Sequence, residues 1–199
     1  SEEIGEINKE NKDHRWIIDP IDGTLNFLNG IPHFAISVGY EEKGEIVCGL
    51  IFDPIKDEIF FAEKGSGAFF NNSRIRVTKK NRLKNSILVT GGPKFNSPRK
   101  NDIFQEYINV SNLTEANIRK FGSAALNLSY VAAGRFDAYW EWELNYWDIA
   151  AGIVILKEAG GFIDFIEPGS ATSLKRNIIA SNSSIHEELK AVLVKKNIE

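Results

Sequence analysis

The chain has 199 residues, 43% of them hydrophobic and 26% charged, with a formal net charge of −3. It is long enough for a sizeable core, and its near balance of charge excludes a general electrostatic pull toward nucleic acid or an anionic membrane. No apolar run approaches the roughly 18 to 20 residues of a membrane span, the polar opening points away from a signal peptide, and the single Cys48 cannot form an intrachain disulfide, so a cytoplasmic, reducing compartment is expected.

Residues 16–18 form an apolar, β-type run that leads into Asp19-Pro20-Ile21-Asp22-Gly23-Thr24. Pro20 fixes φ and has no N–H to donate, so the strand is expected to stop or bend there, with both carboxylates on a turn. Residues 34–40 (FAISVGY) and 45–52 (EIVCGLIF) are rich in β-branched and aromatic residues and predict a hairpin across EEKG. Residues 58–62 and 67–70 flank a Gly-Ser turn, and 87–90 closes on Gly91-Gly92-Pro93. The first half therefore reads as mostly antiparallel sheet.

The period then changes. Residues 102–110 and 123–133 carry apolar side chains at helical spacing, and Gly122-Ser123 looks like a helix start. Residues 137–144 (DAYWEWEL) alternate as a strand does, and 146–159 predicts a helix ending on Gly160-Gly161. Short strands at 162–166 and 177–181 precede a last helix from about Ser184. This order predicts sheets with helices layered against them, without the strict βαβ alternation of a doubly wound fold.

Carboxylates beside an apolar strand are costly unless something positive meets them. Asp19 and Asp22 can point at one centre with the Ile21 carbonyl between them, a hard-oxygen set suited to Mg²⁺. Gly23 allows close backbone approach, and the Thr24 hydroxyl can orient a metal-bound water. The alternative is an Asx-type turn in which the aspartates cap Gly23 and Thr24. Asp148, in WDIAAG, stands at a helix start, either as an N-cap or as the distant ligand of a second metal. The small residues after it allow that helix to pack closely on a neighbour. Glu2 and Glu3, taken alone, read as a solvated terminus, and His14, His33 and His186 are assigned no role.

SEE at 1–3, WIIDPIDGTLNF at 16–27, FGSAALNLSYVAAGRFDAYWE at 121–141 and WDIAAGIVILKEAGG at 147–161 together resemble the inositol monophosphatase family, in its bacterial inositol-1-monophosphatase and SuhB-like branch. The resemblance runs from about Glu2 to Ile185. It implies an α+β fold, the layered α/β sandwich of the inositol monophosphatase/fructose-1,6-bisphosphatase type. One phosphatase domain would span 1–199, with an antiparallel-sheet half at about 16–92 and a mixed α/β half at about 100–199. Family members carry a further N-terminal helical segment before the SEE motif; none precedes it here, and the absence of any methionine points to a chain that continues further.

The resemblance also implies a Mg²⁺-dependent phosphoric monoester hydrolase, using two or three ions and acting on inositol 1-phosphate. The metal ligands would be Glu2, Asp19, Asp22, Asp148 and the Ile21 carbonyl, with Asp19 bridging two ions and Thr24 helping Glu2 to activate the attacking water. Glu141 would bond a substrate hydroxyl, Gly122, Ser123 and Ala124 would lie along the substrate, and Asp22, Gly23, Thr24 and Asp148 would complete its site. Asn26-Phe27 resembles the inositol monophosphatase branch, while Leu25 stands where many members have a second threonine. A homodimer and lithium sensitivity go with the family. The alternatives are another family substrate (3′-phosphoadenosine 5′-phosphate, fructose 1,6-bisphosphate, histidinol phosphate or NADP) or an accessory role in transcription or RNA processing. For the last, the basic residues Lys79, Lys80, Arg82 and Lys84, with Arg99-Lys100 further on, are the feature to inspect. They are expected to be solvated loops, because no aromatic residues interleave with the first cluster.

Overall fold

The computed structural model describes residues 13–93, 96–166 and 175–194. Its first sheet has six strands in chain order: β1 (His14–Asp22), β2 (Ala35–Glu42), β3 (Glu45–Asp53), β4 (Glu58–Glu63), β5 (Gly67–Phe70) and β6 (Ser73–Arg74). Every neighbouring pair is antiparallel. The predicted hairpin is β2–β3, turned at Lys43 and Gly44, whose positive φ values of 51° and 83° match the twist of the strands they join.

The second sheet is mixed and runs in the order β10 (Phe162–Ile166), β11 (Arg176–Ser181), β9 (Ala138–Leu144), β7 (Ile87–Thr90), β8 (Asn117–Arg119). There β7 lies parallel to both β8 and β9. Helices α3 (Ala124–Ala132) and α4 (Tyr146–Glu158) pack together between the sheets, while α2 (Lys100–Thr114) and α5 (His186–Val194) pair on the far side of the second sheet. The larger apolar cluster, which takes residues from Ile17 through to Ala180, fills the space between the sheets; the smaller one lies under α2 and α5. This is the layered α+β arrangement expected from the element order. The elements absent from the sequence reading are β6, β8 and α1 (Thr24–Leu28), each five residues or fewer and too short to display a period.

Three strands depart from simple alternation, β3 among them, where Ile46 and Cys48 face the adjacent Glu41 and Tyr40 of β2. In β1, Asp19 pairs with Ser37 and Asp22 with Ala35, so β1 advances three residues where β2 advances two. Of the two outcomes expected at Pro20, the strand takes the bend: it continues to Asp22 by way of a bulge on the sheet's edge, where proline is tolerated, so the carboxylates lie within the strand and not on a turn as expected. In β9, Glu141 pairs with Ile178 and Leu144 with Arg176, again three residues against two.

The inner helix approaches the first sheet through glycine. Gly39 and Gly49 face one another across β2 and β3; Gly39 lies against Ala150 and Ala151 of α4, and Gly49 against Ala151 and Val154. On its other side, Gly152 meets Leu128 of α3. The run of small residues after Asp148 therefore packs as its composition suggested.

Outside the second sheet, Glu106 of α2 is buried, accepts the Trp142 Nε1–H and pairs with Arg99 at 3.0 Å. Burial pushes its pKa up to about 7; Asp102 adds to the rise, while Arg99 and Trp142 oppose it. Between the ordinary carboxylate value of 4.5 and about 7, the folded protein therefore holds this proton while the unfolded chain has released it. The contribution to stability is complete below pH 4.5 and lost as pH rises toward 7. Glu106→Gln should accordingly gain on the wild type by on the order of 1 to 3 kcal/mol between pH 5 and pH 7.5, read by urea unfolding. Parallel pH profiles would place Glu106 in the ordinary carboxylate range.

Candidate active site

The β1 bulge decides where the first carboxylates go. Side chains alternate along a strand, so residues three apart face opposite sides unless one extra residue intervenes. With the extra residue, Asp19 and Asp22 share the inward face, where they are 2% and 7% exposed. The chain then turns at Gly23, whose φ of 90° suits glycine and whose missing side chain leaves room for the backbone oxygens of His33 and Gly122, 3.2 and 3.3 Å from where a Cβ would stand. Asn26 ties this turn to the 121–122 loop by donating to the carbonyls of His33 and Phe121, each at 2.7 Å.

Asp22 meets the start of α3. Ser123 caps that helix by accepting from Leu126 N–H at 3.3 Å, and its hydroxyl donates to Asp22, as do the N–H groups of Ala124 and Ala125 at 3.3 and 2.9 Å. Ser123 thus stands behind Asp22, buried. Even with these donors, burial pushes the Asp22 pKa up to about 7, and the neighbouring Asp148 charge adds to the rise. Asp19 Oδ1 accepts from Ile21 N–H at 3.0 Å, and the Thr24 hydroxyl donates to the Ile21 carbonyl at 2.9 Å.

Asp148 is not the N-cap of α4. That position belongs to Asn145, and Asp148, three residues on, accepts the Asn145 N–H at 2.8 Å as the acidic half of a capping box. The second strand bulge supplies the remaining wall by putting Glu141 and Leu144 on one face. Glu141 Oε2 accepts from Tyr139 OH at 2.6 Å, and the carboxylate lies against Gly91, where a Cβ would sit 1.9 to 2.2 Å from it. Gly91 is the residue that leaves it room.

These pieces enclose one cavity of about 220 Å³, lined by Asp19, Ile21, Asp22, Gly23, Thr24, Gly91, Gly122, Ala124, Glu141, Leu144, Asn145 and Asp148. Four of these residues are acidic and none is basic. Of the residues singled out from the sequence, Ser123 lies behind the cavity, and Glu2 falls outside the described residues. Sequence reasoning missed Gly91, Leu144 and Asn145 as lining residues. The Gly91-Gly92 pair shows in the sequence only as the punctuation that closes β7, and Asn145 is legible as a cap by its position three residues before Asp148.

The donor set suits a hard cation: carboxylate oxygens and one backbone carbonyl around a cavity where burial pushes the Asp22 pKa up to about 7, a penalty on its charge that a cation would relieve. Among the described residues no three acidic, His or Cys side chains converge tightly enough to cage an ion by themselves. Mg²⁺ does not require such a cage, since it keeps waters and takes phosphate oxygens beside one or two carboxylates.

Comparison with known proteins agrees with this architecture. The inositol monophosphatase family model matches residues 1–199. An inositol-1-monophosphatase of Rhizobium meliloti is 44% identical over 96% of this chain and 72% of its own length. A protein of Haemophilus influenzae named Nus factor SuhB is 41% identical over 95% of this chain and 70% of its own. The crystal structure of the extragenic suppressor protein suhB from Bartonella henselae superposes with a TM-score of 0.87 at 48% identity, covering 94% of this chain and 72% of that one. With its layered sheets, its carboxylate cavity and a family match over the whole length, the chain belongs to the inositol monophosphatase family.

Proposed function

We propose that the protein hydrolyses a small polyol phosphate monoester, inositol 1-phosphate being the best fit, with Mg²⁺ as cofactor. The observation that carries this reading is the gathering of Asp19, Asp22, Asp148 and the Ile21 carbonyl around one cavity with no basic residue in its wall. These groups would hold the metal, joined by Glu2. Bound there, Mg²⁺ supplies an acidified water, a clamp on the phosphate oxygens and neutralisation of the leaving oxygen.

The chain's own groups then position and orient. Thr24 donates its hydroxyl proton to the Ile21 carbonyl, which leaves the Oγ1 lone pairs to accept from a water and aim it. Glu2 is the group proposed to take the proton of that water. Glu141 offers a carboxylate oxygen to a hydroxyl of the polyol, and the Tyr139 hydroxyl holds its other oxygen. Lys120 brings its ammonium beside Gly92, the chain neighbour of the lining residue Gly91, and its charge would favour an anionic substrate. No nucleophilic side chain is needed, because such catalysis is mostly positioning and charge stabilisation. A homodimer, lithium inhibition and a cytoplasmic location accompany this reading.

The test is phosphate release by the full-length protein from inositol 1-phosphate, 3′-phosphoadenosine 5′-phosphate, fructose 1,6-bisphosphate and histidinol phosphate, with and without Mg²⁺. Mg²⁺-dependent turnover with inositol 1-phosphate preferred is expected. Silence on all four, despite Mg²⁺ binding, would favour the second reading, an accessory role in transcription or RNA processing, which the name of the Haemophilus influenzae relative supports. The basic residues lend that role little support. Lys84 pairs with Glu115 at 2.9 Å, Lys80 bonds the Asn85 carbonyl at 3.2 Å, and Arg99 is engaged by Glu106.

A further inference from the structure

The bulge in β9 lies between two parts of the cavity wall, Glu141 before it and the Leu144–Asn145 entry to α4 after it. Its two residues turn away from the cavity. Trp142, 4% exposed, reaches the opposite side of the sheet, where its Nε1–H is donated to Glu106 and the Arg99 guanidinium lies 4.8 Å over its ring. Glu143 has a φ of 60°, the left-handed region that a residue with a side chain adopts only when its surroundings impose it.

Those surroundings are visible. Glu143 Oε1 accepts from Ser97 Oγ at 2.9 Å, and its N–H donates to Asn177 Oδ1 at 3.0 Å. Ser97 Oγ in turn accepts from Arg99 N–H at 3.1 Å, and Arg99 pairs with Glu106 at 3.0 Å. A single stretch, Ser97 to Arg99 with the first turns of α2, therefore grips both bulge residues. Asp102, 3.9 Å from Arg99, also faces this cluster from α2. None of Ser97, Arg99 and Glu106 lines the cavity.

We propose that Ser97, Arg99 and Glu106 are positioning residues for substrate binding: they clamp the Trp142–Glu143 bulge and thereby aim the Glu141 carboxylate at the polyol. This rests on the proposed role of Glu141 as hydroxyl acceptor. A loosened bulge lets Glu141 drift, so recognition of the polyol weakens while recognition of phosphate, assigned to the metal held by Asp19, Asp22 and Asp148, does not.

The experiment compares the KM for inositol 1-phosphate with the inhibition constant of inorganic phosphate, which has no polyol hydroxyl, in the full-length enzyme with Mg²⁺. Glu106→Ala, Trp142→Phe and Ser97→Ala are expected to raise KM by ~10-fold, with the phosphate constant unchanged within about 2-fold. Glu106→Gln keeps an acceptor for Trp142 and should restore most of the KM. Trp142→Phe removes one hydrogen bond and Ser97→Ala two, those to Glu143 and from Arg99, and both variants carry the test even if Glu106→Ala fails to fold. Glu141→Gln is the reference variant. If it leaves KM unchanged, the assigned role of Glu141 is wrong. If it raises KM while the clamp variants do not, or if they weaken substrate and phosphate alike, the clamp proposal is overturned.

Discussion

Asp22→Asn is expected to lower Mg²⁺-dependent turnover by ~10³-fold or more while leaving the protein folded. The substitution keeps the shape and one acceptor oxygen for Ser123 and the N–H groups at the start of α3, so that helix remains tied to β1. What it removes is a charge in a buried position, where burial already disfavours the ionised form and only a nearby cation makes it worthwhile. The loss should therefore appear twice. Turnover falls, and the rise in melting temperature that Mg²⁺ gives the wild type shrinks, because binding stabilises only as far as the folded state offers ligands. In EDTA the variant should melt no lower than the wild type. A rate near normal would take Asp22 out of the site altogether.

Gly49→Ala is expected to destabilise the fold by about 3 kcal/mol, the upper end of what overpacking a well-filled interior costs. A Cβ there would stand 2.6 Å from the Ala151 carbonyl oxygen, 2.7 Å from a Val154 methyl and 2.9 Å from the Ala151 Cα. Two of these three are backbone of a helix wedged between sheet and sheet, so relief requires moving the whole helix. Gly39→Ala meets its nearest atoms at 3.2 and 3.3 Å and should cost clearly less. Because α4 carries Asp148 in its first turn, Gly49→Ala should also depress Mg²⁺-dependent activity of the protein that remains folded. Urea unfolding of both variants, with equal m-values, checks the order. Equal stability of Gly49→Ala and wild type would show that the helix has room to retreat.

Much of this was legible from residue patterns, and the reasons for the rest are specific. The β2–β3 pair and the long apolar run of α4 announce themselves in the sequence, and Ser123 reads correctly as a helix start because its capping bond lies within its own helix. Asp148 was harder. A carboxylate near a helix start fits either the cap or the third helical position, and only Asn145 three residues earlier decides between them. The bulges are different in kind. DAYWEWEL alternates without a visible flaw, and the inserted residue shows only against Arg176 and Ile178 on the neighbouring strand, more than thirty positions away in the chain. The aspartate spacing in β1 did point to a shared centre, but by way of a turn and not through an extra residue within the strand. For the same reason Leu144, which an unbroken alternation would send to the other side, escaped notice as part of the cavity wall.

The two inserted residues make the site depend on counting. Between Asp19 and Asp22, and again between Glu141 and Leu144, the chain must hold one residue more than its partner strand. A single-codon deletion in either interval would reverse the parity and leave part of the wall pointing elsewhere. Every acidic residue would still be present in such a protein, in the same order and on recognisable strands. Relatives of this chain that have drifted away from catalysis can therefore keep the full complement of carboxylates, and the sign of their departure would be a gap in the alignment.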